Sequence, residues 1–206
     1  LFETSYTPTA LSSIEAAWKA VGGTESVSET VDLAATSVGP QLEKLLAAKP
    51  DAIYLAIDGN ISSLAFKELG QRNVKIPLIT YSGGAVVPEA KSTPGLDLYF
   101  TTAAFQTTPE FEAAAKQAGI NDISYYHVTY YNIAQTIVRS LKMAADQGME
   151  PNGEGIENIL QKSPDVSFNG CCGPVSYTKS HGANGKITVY QLIDGKPTKK
   201  ADLDAS

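Results

Sequence analysis

The feature that most constrains this chain is a regular exchange between short apolar runs and stretches of helical periodicity. The clearest run is Asp51-Ala52-Ile53-Tyr54-Leu55-Ala56-Ile57. It follows Lys49-Pro50, which ends the helix before it, and seven residues are too few for a helix of ordinary length, so a buried strand is predicted. Lys75 to Tyr81 and Asp97 to Thr102 are further strands, and Val27 to Leu33 alternates apolar and polar residues as a half-buried strand does. Leu1-Phe2-Glu3 reads as the end of a strand whose beginning is missing. Helices fill the gaps. Leu11, Ile14, Ala17 and Trp18 recur at helical spacing from Thr9 to Ala20, with Pro8 at the start and Gly22-Gly23 after the end. Leu42, Leu45 and Leu46 mark a second helix with Ser37 as its N-cap, and Ile61, Leu64, Ala65 and Leu69 a third, opened by the turn Asp58-Gly59-Asn60. The order β, α, β, α, β, α, β with apolar strands implies an α/β fold. Its parallel sheet should carry helices on both faces, joined by right-handed crossovers.

Beyond about Ala103 the character changes. Helices are predicted at Pro109 to Ala118, at Ser124 to Gln147 and at Gly155 to Gln161. The segment Phe168 to Tyr177, a Gly-rich polar loop and the strand Ile187 to Ile193 follow, and Asp194-Gly195 is a turn signal after that strand. The polar tail from Lys196 is expected to be disordered. The division drawn from this pattern is residues 1–103 plus 187–206 as one lobe and 104–186 as part of another.

Composition removes several classes of function. The net charge is −6, and lysine and arginine are scattered among acidic residues, which leaves no basic stripe for a phosphate backbone. No window approaches the roughly 18 apolar residues of a membrane-spanning helix, and the N-terminus lacks the basic and apolar regions of a signal peptide. The two cysteines, Cys171 and Cys172, are adjacent, so they cannot form a Cys-x-x-Cys zinc cage or a long-loop disulfide within this chain. Adjacent cysteines can close only a strained eight-membered ring, so a structural role, or pairing with a residue outside this chain, is expected for them. His127 falls in the long helix, where a capping or core role is expected, and His181 in the polar loop. Nucleophile-elbow, zincin and P-loop sequences do not occur, so no catalytic residue, metal or cofactor is predicted.

In an open parallel sheet ligands sit outside the carboxyl ends of the strands. Four turns occupy such places: Thr4-Ser5-Tyr6, Asp58-Gly59-Asn60, Tyr81-Ser82-Gly83-Gly84 and Ala104-Phe105-Gln106. Each combines aromatic or polar side chains with small residues, as a pocket with apolar walls and few polar anchors requires. The ligand-binding candidates are Tyr6, Asp58, Gly59, Asn60, Tyr81, Ser82 and Phe105.

Three stretches carry a resemblance to a known family. They are Gly22-Gly23 before the strand at Val27, the run Gln41-Leu42-Glu43-Lys44-Leu45 to Lys49-Pro50-Asp51-Ala52-Ile53-Tyr54, and Gly173-Pro174-Val175-Ser176-Tyr177 with the closing strand and Asp194-Gly195. In order and spacing the chain resembles type I periplasmic binding proteins, in the branch of leucine/isoleucine/valine-binding receptors of ABC importers. The resemblance implies a noncatalytic receptor in the periplasm or outside the cell. Such a receptor closes around a small amino acid or an aromatic or other small carboxylate by hinge motion and delivers it to a membrane permease. It further implies one near-complete lobe and part of a second, the missing N-terminal part of the same protein completing the latter. Tyr6 matches a ligand-holding Tyr by position. Ser82 stands where amino-acid receptors of the branch carry an acidic residue, and Asp58 could supply that charge from the next turn. A sensory or regulatory domain on the same fold is the rival reading, and an α/β enzyme using Asp58 with His127 is a third.

Overall fold

The computed structural model describes all residues except 1, 5–7, 25–26, 58, 82–84, 103–106, 122, 163–165, 178–182, 185 and 205–206. The chain divides into two compact units, Leu1–Thr101 with Val189–Ala201, and Thr102–Thr188 with Asp202–Ser206.

In the first unit β1 (Phe2–Thr4), β2 (Glu29–Val31), β3 (Ile53–Ala56), β4 (Leu78–Tyr81) and β5 (Leu98–Thr102) alternate with α1 (Pro8–Ala20), α2 (Gly39–Ala47), α3 (Gly59–Gln71) and the short α4 (Pro88–Ser92). With β9 (Lys186–Ile193) and β10 (Lys196–Asp204) the strands form one sheet in the order β10-β9-β5-β4-β3-β1-β2. The pairs β1–β2, β1–β3, β3–β4 and β4–β5 are all parallel. The sheet is thus the parallel α/β core that its alternating sequence predicts.

The register sorts side chains by face. Ile53 lies beside Leu78 and Leu78 beside Leu98; Leu55 lies beside Thr80 and Thr80 beside Phe100. All six are buried. Thr80 is tolerated there because its Oγ1 donates to the Leu55 carbonyl at 2.9 Å, leaving only its methyl to pack. The alternate residues Tyr54, Ile79 and Tyr99 are only half-buried. Chain direction accounts for the asymmetry. The step from β1 to β2 runs one way across the sheet and the later steps run the other, so right-handed crossovers put α1 alone on one face and α2, α3 and α4 on the opposite one. Consistent with this, α3 packs beside both α2 and α4. The burial of α3 falls on Ile61, Ala65, Phe66 and Leu69, with Leu64 at the margin. On the thinly covered face Ile14 is half-buried and Trp18 is 41% exposed, although both lie on the predicted apolar stripe of α1.

Several local expectations need correction. The N-cap of α2 is Val38, not Ser37. Ser37 stands one residue earlier, where its Oγ accepts from the Gly39 N–H at 3.3 Å, while the Glu68 carboxylate of α3 accepts from the Val38 N–H at 3.2 Å. The strand expected over Val27–Leu33 is confined to Glu29–Val31. The five residues of α4 were too few to give a periodic signal. The tail expected to be disordered is instead β10, an edge strand exposed over 196–203. Lys196, Lys199 and Lys200 discourage further pairing along that edge, which is why the segment reads as solvated. The turn before it, Asp194-Gly195, has φ of 49° and 73°, the left-handed pair of a two-residue hairpin.

The second unit holds α5 (Pro109–Gln117), α6 (Tyr125–Asp146), α7 (Gly153–Gln161) and the antiparallel strands β6 (Phe168–Gly170), β7 (Gly173–Tyr177) and β8 (Ala183–Asn184). Thr108 caps α5 by accepting from Phe111 N–H at 3.3 Å, and Asn152 caps α7 by accepting from Gly155 N–H at 3.0 Å. His127 sits in the first turn of α6. Its Nδ1 accepts from the Ser124 N–H at 3.0 Å and lies 2.9 Å from the Ser124 hydroxyl, so the imidazole is part of the helix start. Phe111, Val128 and Cys171 form one small core, with Tyr131 edge-on to Phe111 at 4.9 Å, and Ala144, Ile159 and Val166 form another.

Candidate functional site

The strand order fixes where the first unit offers a crevice. From β1 the chain moves outward to β2 and then returns across β1 to β3, so the winding reverses between β1 and β3. Helices on either side of that point leave toward opposite faces, and the carboxyl ends of the two strands between them are where parallel sheets bind ligands. Those ends are Thr4 and Ala56, with Ile57 fully buried just after β3. The residues expected to face this point, Tyr6 and Asp58, lie outside the described residues, as do Ser82 and Phe105.

The remaining candidates are placed. Gly59 opens α3 with φ of 51°, and a Cβ added there would meet no atom within 4 Å. Glycine therefore serves the backbone conformation at this position, with no steric demand from neighbours. Asn60 is exposed beside it in the first turn of α3. Tyr81 ends β4, half-buried and in register with Thr101 of β5. Gly59 and Asn60 thus share the β3 end of the reversal point, and Tyr81 stands one strand further along. His127 belongs to the second unit and is committed to the start of α6.

A second concavity was not anticipated from sequence. At the amino ends of the strands, between α1 and the end of α2, a cavity of about 220 Å³ is lined by Ile14, Trp18, Val27, Leu45, Tyr54 and Ile79 among others. Burial raises the Tyr54 phenol above its usual value, so it remains a neutral hydrogen-bonding group. The sequence signal was available in Trp18 and Tyr54, two large aromatics at positions that neither end of the fold fully covers. The cavity opens at the edge opposite to the one where parallel sheets bind ligands. Among the described residues no group of three or more His, Cys, Asp or Glu could hold a metal ion. Among the described residues, too, no helix is long and apolar enough to cross a membrane.

Comparison with known proteins places this arrangement. The family model of the periplasmic binding proteins matches residues 3–197, nearly the full chain. The chain belongs to the periplasmic binding protein family. No curated protein matches it in sequence. Among solved structures it is similar to a leucine-binding protein from Thermotoga maritima, with a TM-score of 0.78 and 18% identity over 99% of this chain and 59% of that one. It is also similar to a solute-binding protein of an ABC transporter from Rhodopseudomonas palustris in complex with p-hydroxybenzoic acid, with a TM-score of 0.80 and 17% identity over 99% and 60% of the two chains. A fatty acid ABC transporter substrate-binding protein from Thermomonospora curvata gives a TM-score of 0.76 and 16% identity over 99% and 56%. At such identities the likeness is one of fold. The periplasmic-binding-protein chain described here spans under two thirds of the length of each of these structures.

Proposed function

We propose that this chain is part of an extracytoplasmic solute-binding receptor of an ABC importer. In this reading the carboxyl edge of the first unit's sheet forms one wall of the ligand site. The observation that carries it is the reversal of strand order between β1 and β3, the point at whose carboxyl edge parallel sheets bind ligands and after whose strands the sequence places Tyr6 and Asp58. Gly59 and Asn60 complete the floor of that wall, and Tyr81, Ser82 and Phe105 extend it along the neighbouring strand ends. Solute binding by noncatalytic contacts fits a wall with few polar anchors and a histidine spent on a helix cap. The residues 1–103 with 187–206 correspond to the second lobe and 104–186 to the returning part of the first. An extracytoplasmic location and a membrane permease as partner follow from the same reading.

The second unit supports the further proposal that an N-terminal part of the same protein completes the first lobe. Along α6, Tyr126, Tyr130, Ile133 and Ile137 form an apolar stripe 43–65% exposed, while Val128, Thr136 and Ser140 of the same helix are buried. An apolar helical stripe of this width belongs against a further layer. Among the described residues this unit has only the short β6-β7-β8 sheet, so a parallel sheet supplied by the rest of the protein is the layer that fits the stripe.

The ligand class rests on Asp58. A branched-chain amino acid would place its ammonium on this carboxylate, and Asp58→Asn would then weaken binding roughly ten- to a hundredfold, or about 1.5–3 kcal/mol. A benzoate-type acid would be repelled by it, and the same substitution would be neutral or helpful. Titration calorimetry of the receptor carrying both lobes, with leucine and with p-hydroxybenzoate, tests the reading for wild type, Asp58→Asn and Tyr6→Phe. A ligand bound equally well by all three proteins would remove the site from these strand ends.

A further inference from the structure

Cys171 and Cys172 occupy the two central positions of the β6–β7 hairpin, between the paired residues Gly170 and Gly173. No disulfide joins them, yet their Sγ atoms lie 3.1 Å apart. The turn is held in place around Cys171. Its N–H donates to Asn132 Oδ1 at 3.1 Å, its carbonyl accepts from Thr108 N–H at 2.7 Å, and its thiol points to the Val128 carbonyl at 3.6 Å. The flanking glycines are required. A Cβ on Gly170 would meet Asn132 Oδ1 at 2.5 Å and Val175 Cγ2 at 2.8 Å, and Gly173 has φ of 109°. The two thiols differ in access, since Cys171 is fully buried whereas Cys172 is half-buried.

We propose that Cys171 and Cys172 form a dithiol–disulfide couple, a site at which a low-molecular-weight disulfide oxidises the chain reversibly to a vicinal disulfide. This inference is independent of the solute-binding reading. The Cys172 thiolate attacks one sulfur of the external disulfide, which forms a mixed disulfide and expels the first small thiolate. The Cys171 thiolate then attacks Cys172 Sγ, breaking the mixed bond, closing the Cys171–Cys172 bond and expelling the second. Two protein thiols are oxidised and one external disulfide is reduced to two thiols, with the two protons leaving on those products. In the dithiol form the Cys172 thiol and then Asn132, through their hydrogen bonds, draw the Cys171 thiol below its ordinary value against the opposing effect of burial. Once Cys172 is in the mixed disulfide, its Sγ stays beside Cys171 by chain adjacency, in reach of the second attack. Adjacent Cα atoms stand about 3.8 Å apart, closer than the roughly 4.4–6.8 Å of ordinary disulfides, so the closed ring is strained. Strain makes such a bond easy to reduce, as a reversible couple requires.

The test is intact mass and alkylation of the chain after incubation with oxidised glutathione, followed by reduction. The expected result for wild type is the loss of two hydrogens, no retained glutathione, protection of both cysteines from iodoacetamide applied in denaturant, and full recovery of that labelling after reduction. Cys171→Ser should trap one glutathione on Cys172, since the sulfur that resolves the adduct is gone. Cys172→Ser should react slowly or not at all, because the remaining thiol is buried. A wild-type chain that retains glutathione, crosslinks to a second copy or stays fully reduced overturns the proposal, and the wild-type result decides it even where Cys171→Ser fails to fold.

Discussion

Leu78 and Ile79 are consecutive residues of β4 with side chains of nearly equal size, but they face different surroundings. Leu78 is fully buried between Ile53 and Leu98 on the face that three helices cover. Replacing it with alanine removes its whole transfer term and leaves a void in packed surroundings, at a cost of about 2–5 kcal/mol. Ile79 is half-buried and borders the cavity of about 220 Å³ beside α1. The space beside it is already open, so Ile79→Ala should cost only about half of the roughly 1.5–3 kcal/mol that full burial of such a side chain contributes, near 1 kcal/mol. Urea denaturation followed by far-UV circular dichroism separates the two. With a slope of about 1–3 kcal/mol per molar for a chain of this size, the Leu78→Ala midpoint should fall below that of Ile79→Ala by roughly 1 M. Equal midpoints, or a larger loss for Ile79→Ala, would show that the two faces are covered alike and that α1 does not stand alone on its face.

Gly195→Ala should destabilise the first unit by about 1–3 kcal/mol, because φ is 73° there and the new Cβ would approach the Lys91 carbonyl of α4 at 2.6 Å; thermal melting checks this. Glu89 of α4 accepts from Ser63 Oγ at 2.8 Å, and that hydrogen bond draws its carboxyl below the usual 4.5. A lowered folded value means a contribution present above 4.5 and lost as pH falls from there through the folded value, so melting of Ser63→Ala should be less sensitive to acid over that range than melting of wild type. His127→Ala removes the acceptor of the Ser124 N–H and should fray the start of α6. Faster amide exchange over the first turn of that helix is the expected sign, with exchange in α7 unchanged.

The parallel core was legible because its inner strands are buried on at least one face and read as apolar runs, Ile53 to Ile57 most clearly. Phe66 was missed as a core residue although it is fully buried. It lies one position beyond the Leu64-Ala65 stripe expected for α3, and a helix wedged between two others buries a wider arc than an edge helix does. The strand β10 was missed for the opposite reason, since an exposed edge strand carries the composition of a solvated tail. For the site, the sequence identified turns after strands but not their neighbours in space. The rank of Tyr6 and Asp58 over Tyr81 depends on β1 lying between β2 and β3, and nothing local to any one turn encodes that order. The cavity beside α1 went unread for a similar reason: Trp18 and Tyr54 stand out in the sequence, but nothing local to either brings them together.

Hydrogen–deuterium exchange with and without saturating ligand, probed with leucine and with p-hydroxybenzoate on the receptor carrying both lobes, tests the central claim most directly. The account predicts slower exchange at the strand ends around residues 4–7 and 57–60, with residues 49–54 at the amino edge unaffected. Protection confined to 14–18 and 49–54 would contradict it and move ligand binding to the cavity lined by Trp18 and Tyr54.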